Sequence, residues 1–322
     1  MGRRFAQQQT LQAHQDSSSC PVCDGVRHRT VAALDRGHAD QCLTCRLVSF
    51  QVKKGASFPE RYYDPIELGL FEEYYGPFRR RTFTRLVKEI QRFLQTGRVL
   101  DIGCSFGWFL EVAAKAGFEV LGLEPSKEVV AIARDKRGLN VREGDVASAE
   151  ELPGLYDIIL LANVLEHLPN PFDNLRRLQS RLAANGLLVV IVPNVDGLIH
   201  RLTYWAHWLS ANKLTWPLEV LFQTDSPSMH LYQFSETAIR RALTKAGYRV
   251  VHVYGQEVVE IDALDLRQAV AHRMRRNRLA DIFIQEGVRC AQLVGRWVGR
   301  YDELVLFATP QEPDDGRQDG HG

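Results

Sequence analysis

From residue 97 onward, short apolar runs alternate with stretches of helical periodicity. Gly97–Gly103, Glu119–Ser126, Leu139–Glu143, Tyr156–Asn163 and Leu187–Val192 read as strands. The runs at 156–163 and 187–192 are apolar without alternation, as in strands buried on both faces. Between the strands, Phe106–Ala116 and Phe172–Ala184 read as helices, and Gly186 is expected just past the end of the second. Such alternation requires a parallel sheet with right-handed crossovers. Upstream, Phe83, Leu86, Val87, Ile90 and Leu94 recur at spacings of three and four. They predict a helix from Phe78 to Leu94 packed on the sheet. Downstream, Ser235 caps an expected helix Glu236–Ala246. A strand at Tyr248–Val253, one or two helices over 264–299 and a strand at Tyr301–Ala308 complete the pattern.

Acids and glycines recur where these strands end. Asp101-Ile102-Gly103-Cys104-Ser105-Phe106-Gly107 passes from strand through a tight turn to a helix N-terminus. Parallel sheets offer a nucleotide-like ligand a crevice at such a turn. The spacing is G-x-x-x-G, so a dinucleotide fingerprint is absent. Gly103 allows a sharp turn, and Gly107 is expected to let a ligand approach the main chain. Glu124 follows the loop by about 20 residues, where a carboxylate can accept ribose hydroxyls. It also precedes Ser126, a cap for the next helix.

Four of the six cysteines form two pairs, Cys20/Cys23 and Cys42/Cys45, separated by 18 residues. That spacing fits a tetrahedral zinc site. Four thiolates close the shell, so the expected role is structural; unligated thiols are the alternative. His28 and His38, between the pairs, are expected at the surface. The pattern divides the chain into a disordered tail (1–19), a zinc-binding knuckle (20–56), a helical linker or cap (57–96), a sheet domain (97–310) and a second disordered tail (311–322). Within the sheet domain, 195–228 is an insertion carrying Tyr204, Trp205, Trp208 and Trp216. It is expected to form a helical lid, extra core packing or a dimer face. The stretch 198–222 is also a candidate contact with a membrane surface or a lipid-linked substrate. Arg79–Arg81 and the basic run 272–278 read as solvated helix faces, and Tyr62 and Tyr63 as packing residues.

A net charge of +1 over 322 residues excludes a basic nucleic-acid footprint at whole-chain level. No apolar run approaches the roughly 20 residues that cross a membrane. The polar, Gln-rich start lacks the apolar core of a signal peptide, and a cytoplasmic setting is expected.

D-I-G-C-S-F-G at 101–107 resembles the first motif of the class I S-adenosylmethionine-dependent methyltransferases. Glu124, Gly144-Asp145-Val146 and Leu165-Glu166-His167-Leu168-Pro169-Asn170-Pro171 extend the resemblance, which covers 97–256 and points to the branch that modifies small molecules. The N/D-P-P-Y/F motif of enzymes acting on base amino groups is absent. The resemblance implies a seven-stranded, mostly parallel Rossmann-like sheet with C-terminal helices over 257–300. Its last strand would run antiparallel beside 248–253. It implies S-adenosylmethionine as cofactor, with Asp101, Gly103, Cys104 and Gly107 around the methionine end. Glu124 would bind the ribose, Asp145 and Val146 would flank the adenine, and Asn163 would contact the cofactor through backbone or side chain. His167 or His230 would serve as base for an acceptor hydroxyl, with Glu166 orienting a histidine or binding the acceptor. The implied acceptor is a sugar, sugar nucleotide or lipid-linked glycan precursor of polysaccharide biosynthesis, methylated at oxygen. The alternatives are an RNA or protein methyltransferase that grips its polymer with the knuckle, and a non-catalytic cofactor-binding scaffold.

Overall fold

The computed structural model describes residues 19–56, 75–224, 229–257 and 278–311, the last without side chains over 278–285. The tails at 1–18 and 312–322, Tyr62, Tyr63 and the basic residues 272–277 lie outside the described residues. The strands in chain order are β1 (His28–Leu34), β2 (Gly37–Cys42), β3 (Val48–Val52), β4 (Arg98–Ile102), β5 (Glu119–Glu124) and β6 (Val141–Glu143). They continue with β7 (Tyr156–Ala162), β8 (Leu182–Pro193), β9 (Tyr232–Gln233), β10 (Tyr248–Gln256) and β11 (Glu303–Pro310).

Seven strands form one sheet in the order β10-β11-β8-β7-β4-β5-β6. Strands β4 to β8 pair in parallel, and β11 runs antiparallel to both β8 and β10. The expected sheet, its antiparallel last strand included, is therefore present. Successive side chains of a strand point to opposite faces. Ile158 and Leu160 meet the helices Gly76–Ile90, Trp108–Lys115 and Lys127–Arg137. Ile159 and Leu161 meet the helices Pro171–Leu178 and Glu236–Lys245. All four are fully buried, which explains the unbroken apolar run, and each contributes about 1.5–3 kcal/mol by leaving water.

The expected helix over 172–184 is shorter. It ends at Leu178, a 3-10 turn follows at Gln179–Arg181, and β8 begins at Leu182. Register explains the change: Tyr156 pairs with Leu182 but Ile158 pairs with Leu187, so the intervening residues of β8 bulge. Gly186 sits in that bulge, where a Cβ would stand 2.8 Å from the Ala183 carbonyl oxygen. It is a bulge residue and not a helix terminator. Other boundaries move as well, among them the helix expected at 78–94, which is Gly76–Ile90, the strand expected at 139–143, which is Val141–Glu143, and the strand expected at 301–308, which is Glu303–Pro310. Nor are Arg79 and Arg80 a solvated face. Arg80 Nε lies 2.9 Å from Glu111 Oε2, and the Arg79 guanidinium lies 4.6 Å from the Phe83 ring centre.

A second sheet has the order β1-β2-β3-β9. Its fourth strand comes from far along the chain, so Val48 and Phe50 share one core with Leu100 and Leu161 of the large sheet. The insertion forms the helices Leu198–Leu209 and Trp216–Phe222. Tyr204 turns inward and donates to Gln233 Oε1 at 3.0 Å, whereas Trp205 and Trp208 are 68% and 70% exposed.

Candidate active site

The winding direction changes at β4, with β5 and β6 on one side and β7 and β8 on the other. Loops at such a point diverge and leave a crevice. The amides of Gly103 and Cys104 donate to the Leu123 carbonyl at 2.8 and 3.0 Å, folding the loop over the end of β5. The Ser105 amide donates to Glu124 Oε2 at 3.0 Å, and the Ser126 amide to Oε1 at 2.9 Å. Gly103 and Gly107 have φ of +71° and +78°, in the left-handed region that favours glycine. A Cβ on Gly107 would stand 2.5 Å from Leu139 Cδ1, and one on Gly103 2.7 Å from Val164 Cγ2. The backbone conformation at Gly107 and the neighbouring Leu139 both require glycine there.

Asp101 is 2% exposed, and burial pushes its carboxyl well above the usual range; Arg79 acts in the opposite direction. Burial also raises Glu124, offset in part by the Ser126 and Ser105 amides. Asp145 stands at the surface beyond β6 and accepts from the Ser148 amide and hydroxyl, both at 3.1 Å. Its neighbour Gly144 donates to the Glu124 carbonyl at 3.1 Å, and Val146 is buried. Asp101, Glu124 and Asp145 therefore line successive strand ends. The Cys104 thiol packs over Gly122 of β5, where a Cβ would stand 2.6 Å from Sγ, and burial pushes the thiol up. The donor set fits a nucleoside: each Glu124 oxygen keeps lone-pair capacity for a ribose hydroxyl after accepting one amide.

The other wall rises from the end of β7. Asn163 has φ of +56°; its Nδ2 donates to Glu303 Oε1 at 2.7 Å, and Gln256 Nε2 donates to Glu303 Oε2 at 2.8 Å. The Asn163 side chain is thus tied to Glu303. A 3-10 turn, Leu165–His167, follows. Glu166 is fully buried, and among the described residues neither carboxylate oxygen makes a well-formed hydrogen bond. Burial raises its pKa to about 8. His167 Nδ1 lies 3.1 Å from the Met229 carbonyl oxygen, and the His167 and His230 rings meet edge to face at 4.8 Å. Polar atoms of Glu166, His167 and His230 all fall within 4.8 Å of one another. Sequence reasoning missed Glu303 and Arg79. The available signal for Glu303 was an acid opening the apolar run Leu304–Ala308.

The four cysteines of the knuckle converge. Cys20 and Cys45 sulfurs are 3.5 Å apart, as are those of Cys23 and Cys42, and all four lie within 4.8 Å. Four tetrahedral bonds of about 2.3 Å place sulfurs about 3.8 Å apart, so the set fits one zinc ion. The hydrogen bond between Cys20 and Cys45 lowers Cys20 to about 5 and raises Cys45. His28 and His38 are exposed, away from any ligand role in the set.

A parallel sheet with acids at successive strand ends, a glycine turn after its first strand and an antiparallel last strand defines the class I S-adenosylmethionine-dependent methyltransferase fold. Residues 78–253 match the family described as methyltransferase domain, and the chain belongs to that family. The ubiquinone biosynthesis O-methyltransferase of Bradyrhizobium diazoefficiens is 33% identical over 146 residues, covering 44% of this chain and 55% of that protein. The enzyme of the same name from Aliivibrio fischeri is 31% identical over 134 residues, covering 39% and 55%. The chain thus matches about half the length of these curated relatives. A SAM-dependent methyltransferase from Archaeoglobus fulgidus superimposes with a TM-score of 0.49 at 21% identity, covering 76% of this chain and 100% of that one.

Proposed function

We propose that the chain transfers a methyl group from S-adenosylmethionine to a hydroxyl oxygen of a small molecule, with sugar nucleotides and lipid-linked glycan precursors as the leading acceptor class. The observation that carries this reading is the convergence of Glu166, His167 and His230 beside the glycine loop, where Val164 packs on Gly103. Bound S-adenosylmethionine supplies an electrophilic methyl group on a sulfonium. The chain aligns the acceptor and excludes water. Asp101 and the 103–107 loop hold the methionine end, Glu124 the ribose, and Asp145 and Val146 the adenine. Cys104 and Asn163 contribute backbone. His167 or His230, as neutral imidazole, takes the acceptor proton as the oxygen–methyl bond forms. Glu166 stays protonated below about 8 and donates a hydrogen bond to a histidine or acceptor hydroxyl. The similarity to O-methyltransferases of ubiquinone biosynthesis supports oxygen as the attacking atom. Cys20, Cys23, Cys42 and Cys45 hold a structural zinc ion. The exposure of Trp205 and Trp208 supports 198–222 as the contact with a lipid-linked acceptor.

The test incubates the full chain with tritium-labelled cofactor and sugar nucleotides, polyprenyl-linked sugars, polyprenylated catechols, RNA and protein, with products read by mass spectrometry. Label on a small-molecule oxygen is expected. Label on RNA or protein alone overturns the reading, and no cofactor binding by calorimetry favours a scaffold. Plasma emission analysis finding less than half an equivalent of zinc overturns the metal assignment.

A further inference from the structure

We propose that the cysteine knuckle governs the acceptor side of the crevice through one strap of chain, Met229–Ser235, and that Ser235 is a positioning residue for His230. The inference rests on the reading of His230 as an acceptor-side group.

The strap is bonded on both sides. Toward the knuckle, Tyr232 and Gln233 pair with Ser49 and Val48, and the Phe50 amide donates to the Leu231 carbonyl at 2.8 Å. Toward the large sheet, the Phe234 amide donates to the Pro193 carbonyl at 3.2 Å. The strap therefore joins two sheets that otherwise belong to separate stretches of sequence. Its two ends meet the chemistry on either side. At one end, the Leu231 amide donates to the Glu166 carbonyl at 2.7 Å, and the Met229 carbonyl oxygen lies 3.1 Å from His167 Nδ1. His230 lies between these two anchors. At the other end, the buried Ser235 hydroxyl donates to the Cys45 carbonyl at 2.6 Å. Cys45 thus holds the metal shell with its thiol and the strap with its main chain. A shift of the knuckle is passed to His230 over a few residues of hydrogen-bonded backbone. The cofactor loop 103–107 takes its backbone bonds from β5 instead.

The experiment needs no acceptor, so a negative acceptor panel does not affect its outcome. The full zinc-loaded chain is treated with diethyl pyrocarbonate, and labelling of each histidine is read by mass spectrometry. The comparison includes chelator-stripped protein, Ser235→Ala and Ser235→Thr. His207, buried in the insertion helix and held to the Leu214 carbonyl at 2.9 Å, reports general unfolding. His230 labelling is expected to rise about tenfold relative to His207 in Ser235→Ala and on stripping, as local opening of the strap predicts. Cofactor affinity by calorimetry is expected to stay within about twofold, and Ser235→Thr, which keeps the hydroxyl, to restore protection. The proposal is overturned if His230 stays protected in Ser235→Ala. It is also overturned if His230 rises there only in step with His207, since that pattern marks a general stabilising role. If stripping unmasks both histidines together, the Ser235→Ala result decides.

Discussion

Replacing Glu166 with Gln should flatten part of the pH dependence of stability. The side chain is fully buried, and among the described residues its oxygens make no well-formed hydrogen bond. Burial raises its pKa from 4.5 to about 8. The native state therefore holds a proton that the unfolded chain has lost. The stabilisation is complete below pH 4.5, declines as pH rises towards about 8, and is gone above that. The gap between the two values corresponds to at most about 5 kcal/mol. Relaxation and water entry reduce that to about 2–4 kcal/mol. Gln keeps the shape and does not titrate. Urea unfolding of both proteins at pH 5 and pH 9, without ligand, isolates this contribution from every other titrating group. Wild type should lose about 2–4 kcal/mol more than Glu166→Gln between the two pH values. Parallel losses would refute the reasoning and mean that the carboxyl is hydrated in solution.

Other substitutions separate binding from turnover. Glu124→Gln removes a charged acceptor, and cofactor affinity by calorimetry should fall about 10- to 100-fold, matching about 1.5–3 kcal/mol for a charged hydrogen bond. Gly107→Ala places a Cβ 2.5 Å from Leu139 at a φ of +78°, and denaturant unfolding should show a loss of about 1–3 kcal/mol. Either His167→Ala or His230→Ala should lower kcat by about 10²- to 10⁴-fold with cofactor affinity nearly unchanged. Full turnover in both variants would remove the general base from the mechanism.

The central sheet was legible because burial on both faces leaves unbroken apolar runs, as at Ile158–Leu161, and because acids and glycines punctuate the strand ends. The caps were legible too: Ser126 accepts from the Val129 amide and Ser235 from the Ala238 amide. Gly186 misled because a glycine after an amphipathic stretch marks a helix end and a strand bulge equally well. The two-residue β9 is too short for any period to register, and its partner β3 is remote in sequence. At the site, the residue types at 101, 124, 145, 166 and 167 were readable from local motifs. Their mutual placement with His230 and Glu303 was not, because it depends on contacts between distant segments.

Glu303 arrives on β11, the final described strand, yet that strand sits inside the sheet between β8 and β10. Both neighbours precede it in the chain, so until β11 is made one edge of β8 and the whole of β10 lack their strand partner. Open edges of this kind recruit other chains. The ribosome must therefore deliver β11 before the crevice wall at Asn163 can form, and a chaperone that shields those edges should raise the yield of active protein more than one acting after release.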